Sequence, residues 1–243
     1  MSVVSAQTPG VYRFDVFGPN VLAAFSGREF ENRHRQNFLN ALDIAENKLR
    51  RVRQEHTAEL VWLGDCHDRG NAQVADALVT TQPDVALGIL TADCLPVFLQ
   101  VSEPPLVGLV HAGWRGLQQR IVARVIERMK SRAGVSSETI TVGFGPAIRV
   151  CCYEVGEEFR DLFPLYYSAR KMDLIRAAKD QLFSEGISEH QIFDSGFCTS
   201  CHNKNFFSAR KDCGTQERIL SIIQRNGSSD VLGKRKAPIK IPG

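Results

Sequence analysis

The hydrophobic positions along the chain divide it into short segments typical of strands and helices. Nine segments are apolar or alternate between apolar and polar residues, and turn-forming residues flank them. Some of these segments follow one another with no helical segment between them, as strands of antiparallel or mixed sheets do. We predict strands at residues 11–16, 21–26, 59–63, 76–80, 85–90, 95–100, 106–110, 139–143 and 219–223.

Four other segments have the three-to-four-residue spacing of apolar positions that predicts helices. They span residues 34–55, 118–133, 154–162 and 172–185. The second of them is followed by Gly134, a typical helix stop. Since helices are interspersed with strands that also occur in succession, we predict an α/β fold. It is a single layered domain with a mixed sheet rather than a doubly wound sheet.

The end of the chain differs from the rest in composition and charge. Residues 226–243 combine Gly, Ser and Pro with few apolar side chains, so we predict a basic, disordered tail after a catalytic domain of residues 1–225. The tail carries four basic residues and one acidic residue, which equals the whole formal charge of +3. The domain itself is neutral overall, and we expect no nucleic-acid partner.

The sequence also gives an expectation about cellular location. No segment has the run of about 18 apolar residues that predicts a membrane-spanning helix. The first twenty residues lack the basic and apolar regions of a signal peptide. We therefore expect a cytoplasmic protein without a membrane partner. In that reducing compartment its seven cysteines are ligands, nucleophiles or core residues rather than disulfides. The oligomeric state is not predicted.

Three side chains that can bind a metal stand near predicted strands: His67, Cys94 and His111. They are 27 and 17 residues apart, which is too far for a zinc-finger loop but suits ligands from the ends of different strands. Cys94 precedes the apolar run LPVFLQV, and His111 ends the run LVGLV. Two imidazoles and a thiolate suit Zn²⁺ and leave a fourth position for water or substrate.

The same residues allow two other interpretations. Cys94 could act as a nucleophile that His111 activates, in a metal-free amidase or hydrolase. Alternatively, the protein could bind its ligand without catalysis. For a bound anion such as phosphate, the candidates are Arg28, Arg115 and Arg210, because a guanidinium group matches phosphate geometry. No glycine-rich phosphate loop is present, so we do not predict ATP or NAD.

The string CTSCH at residues 198–202 places two thiols in C-x-x-C spacing before a histidine. Covalent haem attachment is not expected without an export signal. As half of a zinc site the string lacks a clear second half, although Cys151, Cys152 and Cys213 are available. The favoured interpretation is that these thiols pack in a turn.

Four motifs in order carry a family resemblance: TADCLPV, VGLVHAGWRGL, GFGPAI with CCYEVG, and CTSCHNKNFFSARKD. Together they resemble the multicopper polyphenol oxidase, or laccase-domain, family over about residues 20–223. Its members include proteins similar to purine nucleoside phosphorylases. The family's Q-V-H-G motif is matched here to Asp65-Cys66-His67-Asp68, and its F-F-S-Y-R motif to residues 206–210, which lack the tyrosine.

The resemblance implies a single α/β domain, similar in fold to a toxin class of cysteine hydrolases. It implies one zinc held by His67, Cys94 and His111, with copper as the alternative metal. The implied activities are phosphorolysis of purine nucleosides, deamination of adenosine and cleavage of methylthioadenosine. Editing of peptidoglycan precursors and copper-dependent polyphenol oxidation are alternatives. Under this hypothesis Asp93, or Asp65 or Asp68, orients a histidine or moves protons, and Trp114 lines a purine pocket.

Overall fold

Two six-stranded sheets carry most of the regular structure, and the computed structural model describes residues 3–64 and 73–227. In spatial order the first sheet contains β1 (Val4–Thr8), β2 (Val11–Phe14), β3 (Val21–Ser26), β14 (Ile219–Arg225), β7 (Ala86–Thr91) and β4 (Leu49–Arg50). Strands β4 and β7 are parallel, and the other neighbouring strands of this sheet are antiparallel.

The second sheet is antiparallel at its centre and parallel at both edges. Its strands in spatial order are β13 (Ile192–Asp194), β10 (Ile140–Phe144), β8 (Leu95–Val101), β9 (Leu106–Ala112), β6 (Ala77–Thr80) and β5 (Leu60–Trp62). A separate short hairpin pairs β11 (Tyr167–Ser168) with β12 (Lys171–Met172). The helices are α1 (Arg35–Ala41), α2 (Trp114–Gln118), α3 (Ile121–Ala133), α4 (Phe159–Leu162) and α5 (Leu174–Ser184).

Three apolar clusters hold these elements in layers. Successive residues of a strand point to opposite faces, so Phe98 of β8 packs between the two sheets while Val97 faces α3 and α5. On the outer face of the first sheet, Ile222 contacts Phe38 and Leu39 of α1. Both faces of the central strands are therefore buried, which explains their continuous apolar runs. The predicted α/β class, with mixed sheets in one layered domain, is confirmed.

All nine predicted strands are present within two residues of their predicted ends. The helix predicted over residues 34–55 is wrong beyond Ala41. Asp43 takes a left-handed φ of 59°, which stops a helix, and β4 then pairs with β7. The apolar residues of segment 34–55 do lie in the core, but Ile44 lies after the end of α1 and not in a helix.

The helix predicted over residues 154–162 is also shorter, because only Phe159–Leu162 is helical. Glu154 forms an antiparallel bridge with Lys171, and the Val155 N–H donates to the Arg170 carbonyl (2.9 Å). These bonds keep the start of the segment extended. The helices predicted over 118–133 and 172–185 are confirmed by α3 and α5.

The predicted boundary between domain and tail falls at the end of the described structure. Asn226 donates its backbone N–H to Asn20, and Gly227 donates to Asp84. Residues 228–243 lie outside the described residues. Among the helices in residues 3–64 and 73–227, none has the length and apolar character needed to cross a membrane.

Candidate active site

Strands β8 and β9 place two of the predicted ligands side by side. Cys94 directly precedes β8, and His111 is the second-last residue of β9. The register pairs Pro96 with His111, so both side chains lie at one end of the second sheet. The predicted convergence of Cys94 and His111 at one end of the sheet therefore agrees with the geometry.

The third metal-binding side chain at this point is His56, in the loop before β5. A buried carboxylate, Asp76, fixes this loop by accepting hydrogen bonds from the backbone N–H groups of Glu55 (3.3 Å), His56 (3.1 Å) and Thr57 (2.6 Å). The Thr57 hydroxyl donates to the same carboxylate (2.9 Å). His56 itself has a left-handed φ of 59°. The four bonds hold this unfavourable conformation and aim the imidazole at Cys94.

Asp76 also orients His111. The His111 Nδ1 donates to Asp76 Oδ1 at 2.7 Å, which leaves Nε2 as the ring nitrogen that faces Cys94. Burial alone would raise the pKa of Asp76, but the hydrogen bonds from His111 and Thr57 outweigh it and lower the pKa to about 2. The carboxylate thus stays ionised around neutral pH.

His56, Cys94 and His111 form a compact donor set. Their ligand atoms all lie within 4.8 Å of one another, and Cys94 Sγ is 3.7 Å from His56 Nε2. Burial opposes the Cys94 thiolate, but the charge of His111 and bonds from both histidines lower the thiol pKa to about 6. Burial also opposes a charged His111, while Cys94 and Asp76 raise its pKa to about 9. A thiolate and two imidazoles fit Zn²⁺, whose tetrahedral shell would keep one open position.

Gly113 makes this close approach possible. A Cβ added at Gly113 would lie 2.9 Å from both Cys94 Sγ and His56 Cδ2. Any other residue would therefore displace two of the three donor side chains. The glycine is also the N-cap of α2, whose first residue is Trp114.

The sequence analysis missed His56 and placed the first ligand at His67. His67 lies outside the described residues, as do Asp65 and Asp68, so that assignment stays a prediction. The segment Gln54-Glu55-His56-Thr57 carries the glutamine and histidine of the Q-V-H-G pattern and could have been recognised. The Gln54 amide donates to the Leu90 carbonyl and accepts from the Leu90 N–H, both at 2.8 Å, which ties the loop to β7.

A cavity of about 710 Å³ opens above the donor set. Its wall includes two aromatic residues, Trp114 and Tyr153. The ring of Trp114 packs against Phe159 (5.1 Å between centroids) and is covered by the Arg115 guanidinium (4.2 Å). Burial, followed by the nearby Cys94, raises the pKa of Tyr153 to about 12, so its phenol keeps its proton. Tyr153 is a second residue that the sequence analysis missed.

Of the three predicted anion-binding arginines, Arg210 lines the cavity. Two further arginines, Arg53 and Arg218, line it as well, and among the described lining residues Asp93 supplies the one carboxylate. The Arg28 side chain lies elsewhere: it bonds to the carboxylate of Asp212 and donates to the Asn203 carbonyl (2.9 Å).

Asp93 occupies the rim of the cavity but makes other contacts than those predicted. Its Oδ1 accepts from the Thr199 hydroxyl (2.6 Å), and its Oδ2 accepts from the backbone N–H of Arg210 (2.7 Å). Asp76, which the sequence analysis did not identify, is the carboxylate that orients a histidine. Asp93 instead holds the segment that carries Arg210 against the site.

Comparison with known proteins agrees with this fold and its motifs. The sequence profile of the family described as multi-copper polyphenol oxidoreductase laccase matches residues 28–226. The crystal structure of YlmD from Geobacillus stearothermophilus has a TM-score of 0.84 at 25% identity, over 93% of this chain and 100% of that one.

Two relatives carry functional names. Purine nucleoside phosphorylase YlmD from Geobacillus stearothermophilus is 34% identical over 182 residues, covering 65% of each protein. Adenosine deaminase RL5, from an unknown prokaryotic organism, is 34% identical over 149 residues, covering 56% of each. The matched segment therefore spans less than two thirds of either relative.

Proposed function

Because the chain belongs to the family described as multi-copper polyphenol oxidoreductase laccase, and because relatives carry purine nucleoside names, we propose that it is a zinc-dependent purine nucleoside phosphorylase. In this proposal it also deaminates adenosine and cleaves methylthioadenosine. The observation that carries the proposal is the donor set of His56, Cys94 and His111 at the base of a cavity of about 710 Å³. That volume is in the range of small-molecule sites.

His56, Cys94 and His111 would hold the zinc ion. When bound, Zn²⁺ supplies Lewis acidity and lowers the pKa of adjacent water toward about 7. Asp76 keeps His111 in one orientation and one tautomer, and so presents its Nε2 to the cavity. Gly113 lets the donors approach one another without a side chain between them.

The cavity wall would bind the two substrates. The guanidinium groups of Arg53, Arg210 and Arg218 make its surface favourable for phosphate. Trp114 and Tyr153 offer aromatic surface for a purine ring. Since the Tyr153 phenol keeps its proton, it can donate a hydrogen bond to the substrate.

The experiment is a substrate panel analysed by product chromatography. The zinc-loaded protein is incubated with adenosine, inosine or methylthioadenosine, each with and without phosphate. Phosphate-dependent release of the free base supports phosphorolysis, and conversion of adenosine to inosine without phosphate supports deamination. A parallel copper-loaded sample identifies the active metal. No product from any nucleoside with either metal would refute the proposal.

A metal-free hydrolase is the second candidate, and one observation favours it. The thiol of Cys94 contacts the imidazole of His111, and the carboxylate of Asp76 orients that imidazole, as in cysteine hydrolases. Activity that survives complete metal removal but is abolished by alkylation of Cys94 would favour this candidate. Activity that returns only with added metal favours the nucleoside enzyme.

A further inference from the structure

A second group of thiols lies on the surface, outside the candidate active site. We propose that Cys151, Cys152, Cys198 and Cys201 form a structural zinc site with four sulfur ligands. This proposal replaces the interpretation favoured from the sequence, in which the thiols of CTSCH simply pack in a turn. It does not depend on the proposed enzymatic function.

The distances between the thiols fit one tetrahedral ion. All four sulfur atoms lie within 4.8 Å of one another, and Cys201 Sγ is 3.4 Å from Cys152 Sγ and 3.6 Å from Cys151 Sγ. Zinc–sulfur bonds of about 2.3 Å place tetrahedral ligands about 3.8 Å apart. Small side-chain movements would therefore complete the site.

The backbone around Cys198 is already folded as a metal-binding turn would be. Residues 198–201 have C-x-x-C spacing, and the His202 N–H donates to the Cys198 carbonyl (2.8 Å), which closes the turn. Cys198 is buried, whereas Cys151 and Cys201 are exposed at the surface where an ion can enter.

The two segments that supply the thiols are held in register by the backbone. Ala147 and Cys198 form a parallel bridge, and the Thr199 N–H donates to the Ala147 carbonyl (3.1 Å). Lys171 donates to the Cys151 carbonyl (2.6 Å), which places a positive charge beside a site that would carry a net charge of −2 with four thiolates and Zn²⁺. Four soft sulfur donors and no oxygen donor favour zinc over magnesium or calcium.

The ion would fasten one wall of the candidate active site. Tyr153 follows Cys152 directly, and Thr199 lies between the two cysteines of the turn. Thr199 donates to Asp93, which is adjacent to Cys94. A zinc ion that joins the two segments would thus hold the cavity wall and the active-site cysteine in a fixed relation.

Metal counting by plasma mass spectrometry tests the proposal on the full chain, purified with zinc and a thiol-free reductant. We expect two zinc ions per chain in the wild type and in Cys213→Ser, whose exposed thiol lies outside the cluster. Cys198→Ser and Cys201→Ser should each retain one ion. Cys94→Ala should also retain one, and X-ray absorption on that variant should show four sulfurs at about 2.3 Å.

Other outcomes would overturn the proposal. One is an unchanged zinc content in folded Cys201→Ser, which changes an exposed residue and is therefore the variant most able to fold. Another is a wild-type mass reduced by two hydrogens even in reductant, which would indicate a disulfide instead of a metal. The Cys94→Ala variant separates the two sites. If it loses only the ion of the candidate active site, this proposal stands, whatever the substrate panel shows.

Discussion

The two candidate metal sites in the described part of the chain differ in almost every physical respect. His56, Cys94 and His111 mix nitrogen with sulfur, come from three distant parts of the chain and face a cavity. The four-cysteine cluster contains sulfur alone, comes from two neighbouring segments and lies at the surface. The first is oriented by a buried carboxylate, Asp76, whereas a turn closed by a backbone hydrogen bond from His202 to Cys198 supplies two thiols of the second.

The comparison teaches how donor number and surroundings separate reactive from structural sites. Three donors beside a cavity leave room for a substrate at the metal, and four sulfur donors fill a tetrahedral shell. The first cluster should therefore control turnover with little effect on folding. The second should control folding and the shape of the cavity wall. The substitutions below test whether the two clusters differ in this way.

Cys94→Ala should have the largest effect. Loss of one ligand removes the metal and its electrostatic stabilisation, which is worth several kcal/mol, so turnover should fall about 1000-fold. The thermal midpoint of the metal-free protein should change little. Product chromatography and circular dichroism measure the two, with Cys213→Ser as the matched thiol control. Wild-type turnover in Cys94→Ala would contradict the assignment of the site.

Asp76→Asn tests the hydrogen bonds that hold His56 and His111 in place. The amide cannot accept bonds as strongly from His111, Thr57 and the loop of His56, so zinc affinity should fall by about 10- to 100-fold. Competition with a chromogenic chelator measures the affinity. Asp93→Asn is the control, since Asp93 bonds to Thr199 and to the backbone of Arg210, and the zinc affinity of this variant should stay close to that of the wild type.

Gly113→Ala should weaken the first cluster by steric conflict alone. The new methyl group would press on Cys94 and His56, and overpacking of this kind costs about 1–3 kcal/mol, equivalent to about a 5- to 150-fold loss of zinc affinity. Gly134→Ala is the control: its left-handed φ of 65° makes the change unfavourable for folding, but open space surrounds it. Equal zinc affinity in both variants would show that the donors are not closely packed.

Asp212→Asn should have the smallest effect and should act on stability only. Burial opposes the Asp212 charge, but bonds from Ser208, Asn203 and Arg28 outweigh it and lower the pKa of the carboxyl. A lowered pKa stabilises the fold above the pKa of the unfolded chain, and this contribution is lost as pH falls below about 4. We expect Asp212→Asn to cost about 1 kcal/mol at pH 7.

Denaturant unfolding at pH 7 and at pH 3 measures this difference. The difference in the free energy of unfolding between wild type and Asp212→Asn should be smaller at pH 3 than at pH 7. Arg28→Met should show the same loss of stability at pH 7 with turnover unchanged, because Arg28 lies outside the cavity lining. A reduced affinity for phosphate in Arg28→Met would instead support its predicted role at the substrate.

The strands were predictable because both faces of the central sheets are buried. Runs such as residues 95–101 are apolar at every position except Gln100, and no surface helix has that pattern. The segment 34–55 was not predictable, because its apolar spacing fits a helix equally well. Periodicity reports neither the left-handed φ of Asp43 nor the pairing of β4 with β7 that follows it.

The site was predictable in part for a related reason. Cys94 and His111 adjoin strong strand signals, so their convergence follows from pairing of β8 with β9. His56 lies in a polar loop with no periodicity, and its position depends on Asp76, which is 20 residues away in sequence and buried. No local pattern marks a carboxylate that works through hydrogen bonds to another segment.

The hairpin of β8 and β9 also has a practical consequence. Its turn, at residues 102–105, lies at the far end of two seven-residue strands from Cys94 and His111, a separation of about 20 Å. An added reporter peptide at this exposed turn would extend the protein away from the candidate active site. The fold thus offers an attachment point for fluorescent or surface-immobilised forms of the protein that leave the cavity open.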